Sequence, residues 1–221
     1  VTDSRDVDTK RLAAASLAQD DPTGWFEQLY VAAADGAAIV PWDAADPNAL
    51  LVDWLERHER ADGGMRALVV GCGLGRDAEH LAGLGFRTTA FDISATAIKT
   101  ARERFPASQV EYTVADLLAP PAAWTGAFDL VVESITVQSM PPSVRATATA
   151  NVAALVAPGG DLLVIAGIRA DDEEVDGPPW PLTRAEIDAF AGDDLHSVKV
   201  EQVAPAGRPD FIRWRAVFRR D

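Results

Sequence analysis

Between residues 65 and 166 the chain alternates short, uniformly apolar runs with longer amphipathic stretches. The runs at 66–70, 87–91, 110–114, 128–133 and 161–166 lack the in–out alternation of a strand with one wet face. They predict a parallel sheet covered by helices on both sides. Helices are expected at 74–84, closed by Gly85, and at 94–105, with Ser94 as N-cap and Pro106 beyond the end. A third is expected at 143–156, with Pro158-Gly159-Gly160 as its stop.

The flanks follow different patterns. Disorder is expected to about residue 8, then a weak alanine-rich helix. Asp21-Pro22 reads as a helix start with proline in the first turn. Trp25, Phe26, Leu29 and Tyr30 then recur at helical spacing, as in a helix packed on the core or a lid over a pocket. Pro47 opens another helix, striped by Leu50, Leu51, Trp54 and Leu55 and ending near Gly63-Gly64. After the fifth strand comes a long loop, with an acidic run at 171–176 and then Gly177-Pro178-Pro179-Trp180. Thr183 and Glu186 match a capping box for a helix at 183–191. Runs at 196–203 and 211–219, joined across Pro205 to Pro209, predict an antiparallel hairpin added to the sheet.

Composition narrows the partners. The formal net charge of the 221 residues is -14, which repels phosphate backbones and anionic lipid, so no nucleic acid and no membrane partner is expected. The C-terminal Arg213, Arg215, Arg219 and Arg220 read as the solvent face of a strand. Cys72 is the single cysteine, and His58, His80 and His196 lie far apart, so no zinc site is expected. No apolar run is long enough to span a bilayer and the first ten residues are polar, which predicts a cytoplasmic protein.

The chemistry concentrates at Gly71-Cys72-Gly73-Leu74-Gly75, directly after the first strand. Glycines there let a ligand approach the backbone, and the next helix offers its free N–H groups. A dinucleotide and S-adenosylmethionine both suit such a turn. The spacing is GxGxG, with Arg76 where a dinucleotide motif wants its third glycine. Asp92 ends the second strand, where a carboxylate can accept from ribose hydroxyls. Asp116 with Leu117 ends the third, where an adenine would lie, and Glu133 ends the fourth. Three acids at successive strand ends suit a cationic sulfonium better than a pyrophosphate. Cys72 reads as a packing residue inside this loop, not a nucleophile.

These elements, in this order, resemble the class I S-adenosylmethionine-dependent methyltransferases over residues 65–166. The Gly71-to-Asp77 form, Pro41-Trp42 and Gly177-Pro178-Pro179-Trp180 are similar to the thiopurine, thiol and halide methyltransferase branch. Val69-Val70 stands where many members carry an acid. The resemblance implies an α/β, three-layer Rossmann-like fold in one domain over 1–221. A helical lid (1–60) covers a core (65–221) with a seven-stranded, mostly parallel sheet ending in an antiparallel hairpin. It implies S-adenosyl-L-methionine as cofactor, held by Gly71, Cys72, Gly73, Gly75, Asp92, Ile93, Asp116, Leu117, Glu133 and Trp42. Trp25, Tyr30, Gln138 and Trp180 are expected at the acceptor. That acceptor is a small molecule, a thiol by preference or else a hydroxyl or amine, on a monomer or homodimer. A nicotinamide-dependent oxidoreductase and a non-catalytic S-adenosylmethionine-binding protein are the competing readings.

Overall fold

The computed structural model describes residues 4–57 and 64–221. Its seven-stranded sheet has the order β3-β2-β1-β4-β5-β7-β6. Strands β1 (Arg66–Val70), β2 (Arg87–Asp92), β3 (Glu111–Val114), β4 (Phe128–Ser134) and β5 (Val156–Gly167) run parallel. β7 (Arg213–Arg220) lies antiparallel between β5 and the edge strand β6 (Leu195–Val203), as the hairpin pattern predicts.

The central strands are buried along most of their length because both faces are covered. Leu68 and Val70 join Val131, Leu162 and Val164 in a core closed by Ala148 and Val152 of helix α6 (Pro142–Ala154) and by Ile187 of α7 (Arg184–Asp188). Ala67 and Val69 join Leu130, Val132 and Leu163 on the other face. There α3 (Ala49–Glu56), α4 (Arg76–Gly83) and α5 (Ala95–Arg104) cover them with Leu51, Leu81 and Ile98. The Thr183–Glu186 capping box and the Ser94 cap both form.

Several boundaries differ from the expectation. Helix α1 spans Ser4–Leu17, so order begins well before residue 8. Leu12 and Ala13 bury against Trp25, Phe26 and Leu29, and this tertiary packing supplies what a polar helix lacks alone. Pro22 does not open α2 (Gly24–Ala34); the Asp21 carboxylate accepts from the N–H groups of Thr23 and Gly24, which moves the start two residues on. α3 stops at Glu56, and most of the stretch expected to continue it, 58–63, lies outside the described residues. Pro158-Gly159-Gly160 does not stop α6, which already ends at Ala154; it lies inside β5, at a break in the β4–β5 register. A Cβ at Gly160 would come within 2.9 Å of the Phe128 and Ala157 carbonyl oxygens, so this bulge takes only glycine. Arg215 is not on a solvent face. It is buried, donates to Asp53 at 2.6 Å and to Glu201, and ties β7 to α3.

The helices before β1 are fastened over the carboxyl ends of the strands. Glu27 of α2 accepts from Ser94 Oγ at 2.5 Å and from Thr96 Oγ1 at 2.6 Å, both at the start of α5. Burial pushes the Glu27 carboxyl up, but the hydrogen bonds from Ser94 and Thr96 more than offset it and hold it below its ordinary value. Asp43 pairs through both oxygens with Arg104 at the end of α5, at 2.8 and 2.7 Å. Replacing Glu27 by Ala strips the N-terminus of α5 of this acceptor, and denaturant unfolding is expected to show a loss of about 2 kcal/mol.

Candidate active site

The strand order reverses between β1 and β4, and ligands of open α/β sheets bind outside the carboxyl ends at such a switch point. Two loops meet there. After β1, Gly71 adopts φ +58, and a Cβ on it would lie 2.4 Å from Thr136 Oγ1 in the loop after β4. The Thr136 hydroxyl donates to the Val70 carbonyl at 3.0 Å, locking the two loops together. Within the β4 loop Ile135 has φ 68, a strained region for a β-branched residue. Its N–H donates to Ile165 O and its carbonyl accepts from Ser139 Oγ, which hold it there.

Asp92 is the electrostatic centre. Its Oδ2 accepts from Gly73 N–H and its Oδ1 from Ser94 N–H, both at 2.9 Å. Each oxygen keeps acceptor capacity for a further donor. Burial pushes this carboxyl up to about 6, against the pull of the two backbone donors.

The two loops floor a cavity of about 660 Å³, roofed by the N-terminal helices and their connections. Trp42 Nε1 donates to Tyr30 Oη at 2.6 Å, and the Trp25 and Trp42 rings meet edge-on at 6.1 Å. Burial drives the Tyr30 phenol well above its ordinary value, with Asp92 adding to the effect, so it stays protonated.

Of the residues singled out in the sequence, Gly71, Cys72, Gly73, Gly75, Asp92 and Ile93 line the floor. Leu117, Gln138, Trp25, Tyr30 and Trp42 also line the cavity. Three do not. Asp116 turns its Oδ1 to the Leu118 N–H at 2.8 Å and stabilises the turn after β3. Glu133 is buried beneath the β4 loop, accepts from Val137 N–H, and is pushed by burial up to about 7. Trp180 folds back over Gly177, and Pro178 and Pro179 take its place at the wall. Burial pushes the Cys72 thiol well up, which removes it as a nucleophile at neutral pH.

The sequence reading missed Asn48 and the role of Asp77. Asp77 Oδ1 accepts from Asn48 N–H at 2.7 Å, and Asn48 Nδ2 donates to Ser134 Oγ at 3.0 Å. This tripod joins α3, α4 and β4 around the cavity. Asn48 after Pro47 carried an N-cap signal, but nothing local linked it to Asp77.

A family profile described as a methyltransferase domain matches residues 67–160. The chain is 27% identical to a probable thiol methyltransferase 2 of Arabidopsis thaliana, over 78% of this chain and 73% of that one. It is 28% identical to thiocyanate methyltransferase 1 of the same plant, over 81% of each. Residues 67–160 are a class I S-adenosylmethionine-dependent methyltransferase domain. Among solved structures, the N-methyltransferase NodS of Bradyrhizobium japonicum, with S-adenosyl-L-homocysteine, shares the fold at TM-score 0.66 and 23% identity, over 88% of this chain and 98% of that one. A structure from work on converting a disulfide bond into a thioacetal group during echinomycin biosynthesis superposes at TM-score 0.69 and 24% identity, covering 89% and 92%.

The methyltransferase cavity fits its cofactor chemically. Asp43, Asp77 and Asp92 line the cavity together with the glycine loop, an acceptor set for a cation bearing hydroxyls and not for a pyrophosphate. Asp92 accepts best when ionised. With its carboxyl near 6, the ionised fraction rises about tenfold between pH 5 and 7, and apparent affinity rises with it. Calorimetry with S-adenosylhomocysteine is therefore expected to show about tenfold tighter binding at pH 7 than at pH 5. Asp92→Asn should bind weakly and without that pH step.

Proposed function

We propose that this methyltransferase acts on a small-molecule thiol. The observation that carries the assignment is the likeness to a thiol and a thiocyanate methyltransferase across 78% and 81% of the chain. The cavity's chemistry supports it. Thiols ionise closer to neutrality than alcohols, so such an acceptor needs little help from a general base. Of the carboxyls at the floor, Asp77 already accepts from Asn48 and Asp43 pairs with Arg104, and the spare capacity of Asp92 is assigned to the cofactor.

When bound, S-adenosylmethionine supplies a methyl group on a positively charged sulfur. Gly71, Cys72, Gly73 and Gly75 would hold it through their backbone, Asp92 and Ile93 would serve the ribose, and Leu117 would pack on the adenine. Trp25, Tyr30 and Trp42 present ring faces and edges that suit a sulfonium and exclude water. Gln138, Pro178 and Pro179 line the acceptor side. In this reading α1, α2 and α3 act as a lid on the sheet. The lid's part is orientation and dehydration, which account for much of the barrier in an in-line displacement.

With thiol, phenol and amine acceptors of matched size, methylation of the thiol is expected to be fastest. A phenol or amine preferred by tenfold or more would replace the thiol assignment. Trp42→Ala removes the hydrogen bond to Tyr30 and a cavity wall. Its kcat/KM is expected to fall about tenfold or more, and wild-type turnover would contradict the lid.

A further inference from the structure

The cavity lining carries both signs of charge. Its carboxylates, Asp43, Asp46, Asp77 and Asp92, come from the segment before α3, the start of α4 and the end of β2. The β6–β7 connection supplies Arg208 and Phe211, and the start of β7 supplies Arg213, to the same cavity. The Arg213 guanidinium carbon lies 3.4 Å from the Phe211 ring centroid, and that of Arg208 lies 4.0 Å from it. Two cations are thus held on one aromatic ring.

Neither of them forms an ion pair among the described residues. The polar contact of Arg213 is to the Ile212 carbonyl, at 2.9 Å. The neighbours on β7 behave otherwise: Arg215 pairs with Asp53 and Glu201, Arg219 with Asp161, and Arg220 with Asp194. With 34 acids to 20 bases, the chain does not lack partners for them. Arg213 is half-buried, and burial, with Arg208 adding to it, lowers its pKa. Arg208 is exposed, so the cost of an unneutralised guanidinium at a partly dry wall falls on Arg213, and a bound anion relieves it. The planar fork of arginine matches a carboxylate.

We propose that Arg208 and Arg213 form an anion subsite for the methyl acceptor, so that the substrate is a thiol bearing a carboxylate. This rests on the thiol reading above. In the transfer, a carbon–sulfur bond forms at the acceptor as the sulfonium carbon–sulfur bond breaks with its electron pair left on the departing sulfur. The acceptor's thiol proton goes to solvent. The arginines hold the carboxylate and so fix where the thiolate sits. They are specificity residues and take no part in the bond changes.

The shared chemistry, a carboxylate, could also come from the methionine end of the cofactor, and the test separates the two. Initial rates are measured for 3-mercaptopropionate and for its methyl ester, with wild type, Arg208→Gln, Arg213→Gln and Arg213→Lys. The wild type is expected to prefer the acid by at least about tenfold in kcat/KM. Either Gln variant should cut that preference about tenfold, and Arg213→Lys should restore part of it. Comparing the acid-to-ester ratio between proteins cancels the difference in thiol acidity. S-adenosylhomocysteine affinity, read by calorimetry, is expected to stay within about twofold of wild type, which also reports an intact fold. An unchanged acid-to-ester ratio overturns the subsite. So does weakened S-adenosylhomocysteine binding in the Gln variants, which would assign the arginines to the cofactor. If neither thiol is methylated, titration of propionate into the S-adenosylhomocysteine complex decides. Binding lost in Arg213→Gln keeps the subsite while the thiol reading fails, and absence of binding in wild type overturns the subsite.

Discussion

A single buried carboxylate organises the site. Asp92 receives Gly73 N–H on one oxygen and Ser94 N–H on the other. Ser94 in turn donates its hydroxyl to Glu27, on the helix that carries Trp25 and Tyr30. Glycine loop, second strand, fifth helix and N-terminal roof are joined by one short chain of hydrogen bonds. Burial opposes the charge on Asp92, which leaves its carboxyl near 6. The group therefore holds spare acceptor capacity at a place the fold has already dried. Low local dielectric strengthens any hydrogen bond made there and penalises any left unmade.

The remainder of the cavity is arranged around that centre. The Gly71–Thr136 interlock fixes the gap between β1 and β4, and the strained Ile135 shapes its rim. The Asp77–Asn48–Ser134 tripod sets the height of the roof. Carboxylates line the cavity with the glycine loop, and the arginines assigned to an anionic acceptor group line the same cavity from the β6–β7 segment.

Most of the fold was legible because parallel strands buried on both faces leave unbroken apolar runs between glycine and proline stops. The central strands β1, β2 and β4 begin where those runs begin. The errors arose where tertiary packing decides. α1 is ordered by Trp25 and Leu29, residues of another helix. Gly160 sits in a bulge against carbonyls of a neighbouring strand, and no local signal separates that from a helix stop. Within the site, glycine spacing and Asp92 were readable because backbone geometry demands those residue types. Asp116, Glu133 and Trp180 are near the site in sequence but do not line the cavity: Asp116 accepts from Leu118 N–H, Glu133 from Val137 N–H, and Trp180 lies over Gly177. Arg208 and Arg213 gave only charge in a loop and at the start of a strand; their meaning came from a shared ring and the lack of carboxylate partners among the described residues.

The most direct measurement is a crystal structure of the protein with S-adenosylhomocysteine. The ribose hydroxyls should lie on the Asp92 carboxylate and the sulfur under Trp25, Tyr30 and Trp42. Open space beyond it should run toward Pro179 and Phe211. A ligand that leaves Asp92 without contact, or that fills the Arg208–Arg213 end with its own carboxylate, would contradict the account.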